Sequence, residues 1–301
     1  MSIPRHPRLR RLLLITLFTI VGFGLVFGAA LYFLQERMIY FPRHYEPVLL
    51  KSLAGQVRSI QYQTACGRQT AFYLPPKKTG SQPPARLWVF FSGNASLALD
   101  WLDLLDRFPD PQAGILLFDY PGYGECQGRP SPRAIDESAE AALVELARDL
   151  QVSPEALCRH LNLLGYSLGC SPALTLATRH ATQRIILIAP FTRAIEIARG
   201  MFGWPLCQLL RHRFDNRASL AALARSPHRP EIVIFHGDRD RVVPIAMGRE
   251  LAQTIPDWIE FHPIGGADHV SILDVAEARI QAAMAPMVPG ARSEKTRQAK
   301  Q

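Results

Sequence analysis

Gly165-Tyr166-Ser167-Leu168-Gly169 has the spacing G-x-S-x-G, directly after an apolar run, Leu161–Leu164, and before a helical stretch, Ser171–Arg179. In that context the glycines permit a tight strand-to-helix turn that lifts the Ser167 hydroxyl clear of its surroundings. The new helix points its amino end at the same spot, where it favours developing negative charge. A serine hydroxyl needs a base, and the base needs an orienting acid. Two later segments could supply them. His236-Gly237-Asp238-Arg239-Asp240 follows the apolar run Ile232–Phe235. Asp240 lies deeper in that loop and is selected as the acid, with Asp238 read as a loop-ordering hydrogen-bond acceptor. Gly265-Gly266-Ala267-Asp268-His269 follows the run Trp258–Ile264. Its glycines would let the loop fold over, which makes His269 the expected base. His160, His180, His212 and His228 lack this context, and His236 reads as structural. A metal reading of His236, Asp238, Asp240 and His269 has no recognisable ligand spacing, so no metal and no cofactor is expected.

Charge that develops on a carbonyl oxygen needs donors nearby. One is expected from the backbone N–H of Leu168, the residue after the nucleophile. The other is expected at Asn94, in the loop Phe91-Ser92-Gly93-Asn94-Ala95, although an ordinary turn is the plainer reading of that loop. The glycine-rich stretch Asp119-Tyr120-Pro121-Gly122-Tyr123-Gly124 reads as scaffolding beside the site.

The elements that must position these residues follow from the hydrophobic pattern. Leu87–Phe91, Ile115–Phe118, Leu161–Leu164, Ile185–Ile188 and Ile232–Phe235 are near-continuous apolar runs, which suit parallel strands covered on both faces. Amphipathic stretches alternate with them. The clearest, 131–150, opens with Ser131-Pro132 as cap and first turn. Ser59–Tyr62 and Ala71–Leu74 read as a leading antiparallel hairpin. The alternation predicts an α/β fold with a mostly parallel central sheet. About 40 residues separate Ile188 from Ile232, more than one crossover needs. That excess predicts a small helical cap at about 191–228, with Phe191, Met201, Phe202 and Trp204 as candidate substrate-pocket residues.

Ahead of this body, Leu12–Leu34 is 23 residues without a charge, long enough to span a bilayer. Arg5, Arg8, Arg10 and Arg11 precede it and should stay cytoplasmic, sending the rest of the chain across. A cleaved signal peptide is the competing reading, because Gly28-Ala29-Ala30 offers small residues for a peptidase. Gly24 and Gly28 have the spacing that can pack two membrane helices together. The formal net charge is +8, but the first 11 and last 14 residues supply seven of those charges. The near-neutral body has no footprint for a nucleic-acid backbone. The five cysteines show no metal spacing and read mostly as small buried hydrophobes.

Several stretches together are similar to one family: Met38-Ile39-Tyr40-Phe41-Pro42, Ser92-Gly93-Asn94-Ala95, Asp119–Gly124, Gly165–Gly169, Ala189-Pro190-Phe191-Thr192, His236-Gly237 with Asp240, and His269. They resemble the membrane-anchored branch of the α/β-hydrolases, which includes bud-emergence-homologue-like and palmitoyl-protein-thioesterase-like members. The resemblance implies the α/β-hydrolase fold, a Ser167–Asp240–His269 triad and cleavage of esters or thioesters. The chain departs from the family in having Ser92 where a histidine is usual and Pro121 where an arginine is usual. It also has no cysteine before Cys66, so the lipid-targeting cysteine cluster of the human thioesterases is not implied.

The expected organisation is a cytoplasmic basic tail (1–11), a transmembrane anchor (12–34), a hydrolase domain (35–288) and a disordered tail (289–301). The expected function is a serine hydrolase acting on an acyl ester or thioester at a membrane surface. The catalytic domain would be extracytoplasmic, on the periplasmic face in a Gram-negative cell. A serine aminopeptidase and a non-catalytic scaffold on the same fold are the alternatives.

Overall fold

The structure, a computed structural model, describes residues 7–53, 55–78 and 83–286. Arg5 and the tail 289–301 lie outside the described residues. Eight strands form one sheet: β1 (Arg58–Thr64), β2 (Gly67–Leu74), β3 (Arg86–Phe91), β4 (Ala113–Phe118), β5 (Leu161–Tyr166), β6 (Thr182–Ile188), β7 (Glu231–Gly237) and β8 (Ile259–Ile264). The order is β1-β2-β4-β3-β5-β6-β7-β8. β2 runs antiparallel to β1 and β4, and every pairing from β4 to β8 is parallel. The apolar runs read from sequence are the central strands. β4 and β5 are buried along their whole length because helices cover both faces of the sheet.

The two faces carry separate cores. One packs Ile135, Leu143, Leu174, Leu220 and Leu251 against the sheet. The other packs Trp101, Leu105, Ile280 and Met284 against it. The 131–150 stretch is the helix Pro132–Asp149, and the Ser131 side chain caps it by accepting from Ala134 N–H. Parallel pairing brings the carboxyl ends of neighbouring strands to one edge, where ligand sites form in open α/β sheets. Phe91 at the end of β3 pairs with Gly165 on β5, so the loops at 92–95 and 166–168 leave the sheet side by side. Gly237 at the end of β7 pairs with Ile264 at the end of β8, which does the same for the acid and histidine loops.

Between β6 and β7 the chain forms a helix Ala194–Phe202, a short helical turn Leu206–Leu209 and a helix Asn216–Arg225. An isolated bridge between Arg193 and Asp215 closes the first two off from the third. The helix Asn216–Arg225 packs on Cys170–Ala177 and Ile245–Thr254, so it is the ordinary crossover helix of the sheet. Of this connection, residues between Phe191 and Phe214 line the space over Ser167.

The amino-terminal helix α1 spans Pro7–Ile39, longer than the uncharged run at both ends. Its stretch Arg10–Ile39 has the length and mean hydropathy, 2.4, to cross a membrane. Those two properties suit an anchor and a signal sequence alike. The four deeply buried cysteines, Cys126, Cys158, Cys170 and Cys207, are free thiols packed in the interior.

Candidate active site

Ser167 sits at the carboxyl end of β5 with φ +52, a left-handed conformation that L-residues adopt at a cost. The turn is possible only because its neighbours lack side chains. A Cβ on Gly169 would lie 2.1 Å from the Phe91 carbonyl oxygen, and one on Gly165 would lie 2.6 Å from the Gly169 carbonyl oxygen. The chain doubles back tightly and presents the hydroxyl at the strand edge.

The Ser167 hydroxyl donates to His269 Nε2 across 2.8 Å. His269 Nδ1–H donates to Asp240 Oδ2 across 2.6 Å. The other carboxylate oxygen, Oδ1, accepts from the backbone N–H groups of Val242 (2.9 Å) and Val243 (2.8 Å). Burial alone would raise the Asp240 pKa, but hydrogen bonds to its charged form prevail and hold it well below the usual carboxylate range. An ionised, fixed Asp240 keeps the imidazole in the tautomer whose Nε2 can take the serine proton. Asp238 faces the other way and accepts from Gly266 N–H at 2.7 Å, ordering the glycine turn that carries the histidine.

Two supporting residues, Tyr166 and Asp268, were not singled out by sequence. Tyr166 donates its hydroxyl to the His269 carbonyl (2.7 Å) and stacks its ring on the imidazole. Asp268 accepts from the N–H groups of Val270 (3.0 Å) and Ser271 (2.8 Å), which shapes the histidine turn. His236 is fully buried; its Nε2–H donates to the Val243 carbonyl at 2.8 Å and lies 3.6 Å from Asp240 Oδ2. It thus braces the acid loop from beneath. The only sequence signal for Tyr166 and Asp268 was adjacency to the motif residues.

The loop after β3 lies beside the elbow. Asn94 Oδ1 accepts from Ala95 N–H (3.0 Å), Tyr123 OH (2.8 Å) and Phe41 N–H (3.1 Å), and Nδ2 donates to the Ile39 carbonyl (2.5 Å). The carboxamide is spent on holding the loop, and it occupies the N–H of Ala95. Asn94 and Leu168 both line the cavity over Ser167. The scaffolding reading of 119–124 holds: Tyr120 donates to the Ser92 carbonyl (2.5 Å), and Tyr123 holds Asn94. Ser92, where the resembled family has histidine, accepts from Trp101 Nε1–H at 3.0 Å.

A cavity of about 690 Å³ opens over Ser167 and His269. Its size falls within the roughly 300–1,000 Å³ of small-molecule sites. Phe191, Met201 and Phe202 line it, as the sequence suggested. Trp204 does not. The helix ends at Phe202, Gly203 turns the chain with φ +70, and the indole is left 74% exposed. His212, set aside in the sequence reading, does line the cavity and pairs with Tyr40 OH at 2.9 Å.

The sequence model of the alpha/beta hydrolase family matches residues 88–220. An esterase of Pyrococcus furiosus superposes with TM-score 0.61, covering 82% of this chain and 96% of that one at 14% identity. An alpha-beta hydrolase of Vibrio vulnificus gives TM-score 0.60, covering 80% and 88% at 18% identity. The fold is that of the α/β-hydrolases. Two further proteins are similar to this chain in sequence. An uncharacterized protein of Mycobacterium tuberculosis is 28% identical over 263 residues, 87% of this chain and 89% of its own. Human alpha/beta hydrolase domain-containing protein 17C is 28% identical over 197 residues, 63% of this chain and 55% of its own.

Proposed function

We propose that this α/β-hydrolase is a serine hydrolase cleaving carboxylic esters or thioesters of acyl groups through an acyl-enzyme, at a membrane surface. The observation that carries the reading is the continuous relay from Asp240 through His269 to Ser167, ending beneath an apolar cavity. Ser167 Oγ attacks the acyl carbonyl as its proton passes to His269 Nε2. The carbonyl oxygen, now negative, is held by the N–H groups of Leu168 and Asn94. The tetrahedral adduct collapses, His269 returns the proton to the leaving alcohol or thiol, and the acyl group stays on Ser167. Water then repeats the steps with His269 as base and releases the acid. The solved P. furiosus neighbour is an esterase, which supports ester chemistry here.

No carboxylate is among the described residues lining the cavity. Glu196, the only acid between Phe191 and Asp215, is paired with Arg193 (2.6 Å) and Arg217 (3.1 Å). This favours an uncharged acyl group over an aminoacyl one. The reading requires no metal or cofactor. α1 serves as the anchor, Arg8, Arg10 and Arg11 stay cytoplasmic, and the hydrolase domain lies on the extracytoplasmic side.

A series of p-nitrophenyl esters run beside aminoacyl amides tests the proposal. Each methylene buried in the cavity is worth about 0.8 kcal/mol, roughly fourfold in kcat/KM until the cavity is full. Efficiency should climb through short and medium chains and then level. A flat response, or faster cleavage of the amides, would overturn it.

A further inference from the structure

The carboxyl-terminal end of α1 is part of the cavity wall. Up to Phe27 the helix is exposed on every side whose side chain is described. From Gly28 onward one face turns inward. A Cβ on Gly28 would sit 3.5 Å from Leu209 Cδ1 on the cap turn. Leu31, Gln35, Met38 and Ile39, spaced to share one helix face, line the cavity over Ser167. Gln35 is buried, and its carboxamide is satisfied: Oε1 accepts from Arg211 N–H at 2.6 Å and Nε2 donates to the Leu209 carbonyl at 3.3 Å. A helix face clamped to the cap in this way is a fixed wall, and its polar group is consumed by the cap backbone.

The same helix end is tied to the catalytic machinery. The Ile39 carbonyl and the Phe41 N–H bracket the Asn94 carboxamide that holds the oxyanion loop. The mouth of the cavity is apolar as well: Met201, Val242 and Val270 line it while being 69%, 61% and 70% exposed. The uncharged run extends to Leu34, so its last two turns or so already touch the cap. With the run in the bilayer, the cap and the mouth must lie at the membrane surface.

The geometry points to a substrate drawn sideways from the bilayer: a long-chain acyl ester resident in the membrane, whose chain enters along α1 and lies between Leu31 and Met38 and the cap helix. This rests on the acyl-hydrolase reading above. It makes Leu31 and Met38 specificity-determining residues for chain length, contributed by the anchor itself.

The test uses the full-length enzyme reconstituted in phosphatidylcholine vesicles. Leu31→Trp fills the wall and should lower the ratio of palmitoyl to butyryl ester kcat/KM about tenfold. Leu31→Ala opens it and should move the preferred chain length upward. Leu25→Trp, on the exposed stretch of the same helix, should leave the ratio at the wild-type value. A fluorogenic palmitoyl glycerolipid should be cleaved when it shares a vesicle with the enzyme and not when it is confined to separate vesicles. Unshifted profiles in both Leu31 variants, or equal cleavage from separate vesicles, would overturn this inference while leaving ester hydrolysis standing. Failure of the wild type to cleave any ester would overturn both.

Discussion

Asp238 and Asp240 stand two residues apart on one loop and do different work. Asp240 accepts from His269 at 2.6 Å, and Asp238 from Gly266 N–H at 2.7 Å. Asp240→Asn should cost about three to four orders of magnitude in kcat, because the neutral amide no longer fixes the imidazole tautomer. Asp238→Asn keeps an acceptor oxygen for Gly266 and should cost less than tenfold; steady-state rates on one ester decide, and the reverse ranking would reassign the acid. A third carboxyl, Asp119, lies beside the loop after β3, accepting from Ala98 N–H and Tyr45 OH, each at 2.8 Å. Burial pushes its pKa up to about 7. The folded chain then holds a proton that the unfolded chain has released above about pH 4. Its contribution is therefore fully present below that pH and is lost as pH rises toward 7. Melting temperatures between pH 5 and 8 should fall with rising pH, and Asp119→Asn should flatten that slope. The hydrogen-bonded row of Ser167, His269 and Asp240 was legible in the sequence because chain order and strand ends suffice to pick those three residues. Tyr166 was not, because its part depends on where the His269 carbonyl arrives.

The central strands were legible for a different reason. Burial on both faces forces long apolar runs, and β4 and β5 are such runs. The cap was harder. The cap helix Ala194–Phe202 and the crossover helix Asn216–Arg225 are both amphipathic, and only the Arg193–Asp215 bridge and the packing on the helix Cys170–Ala177 tell them apart. Trp204 misled for a local reason: apolar character placed it in the pocket, and the backbone turn at Gly203 carried it out. At this scale the elbow makes the sharpest prediction. In Gly169→Ala the new methyl would meet the Phe91 carbonyl, a backbone atom that cannot step aside. A cost of about 3 kcal/mol or more is expected, seen as a melting-temperature drop of roughly 6–12 °C. Gly200→Ala, in the cap helix with open space around it, should be neutral or slightly stabilising in the same scan.

The whole molecule concentrates its net positive charge at the two ends of the chain and its candidate chemistry at one edge of the sheet. The anchor reading of α1 was available from the uncharged run Leu12–Leu34. Its second role was not, because Gln35 at the end of an apolar run looks like a residue at the water boundary. Only the contacts to Leu209 and Arg211 show it clamped to the cap. Chain ends, cap and catalytic edge meet in the claim that Ser167 is an activated nucleophile in a membrane-held enzyme. The direct measurement is labelling of washed membranes by an alkyl fluorophosphonate. Wild-type protein should be labelled in the membrane fraction, on Ser167, and Ser167→Ala should be silent, with a melting temperature within about 2 °C of wild type. Labelling that survives in Ser167→Ala, or ester turnover by that variant within tenfold of wild type, would contradict it.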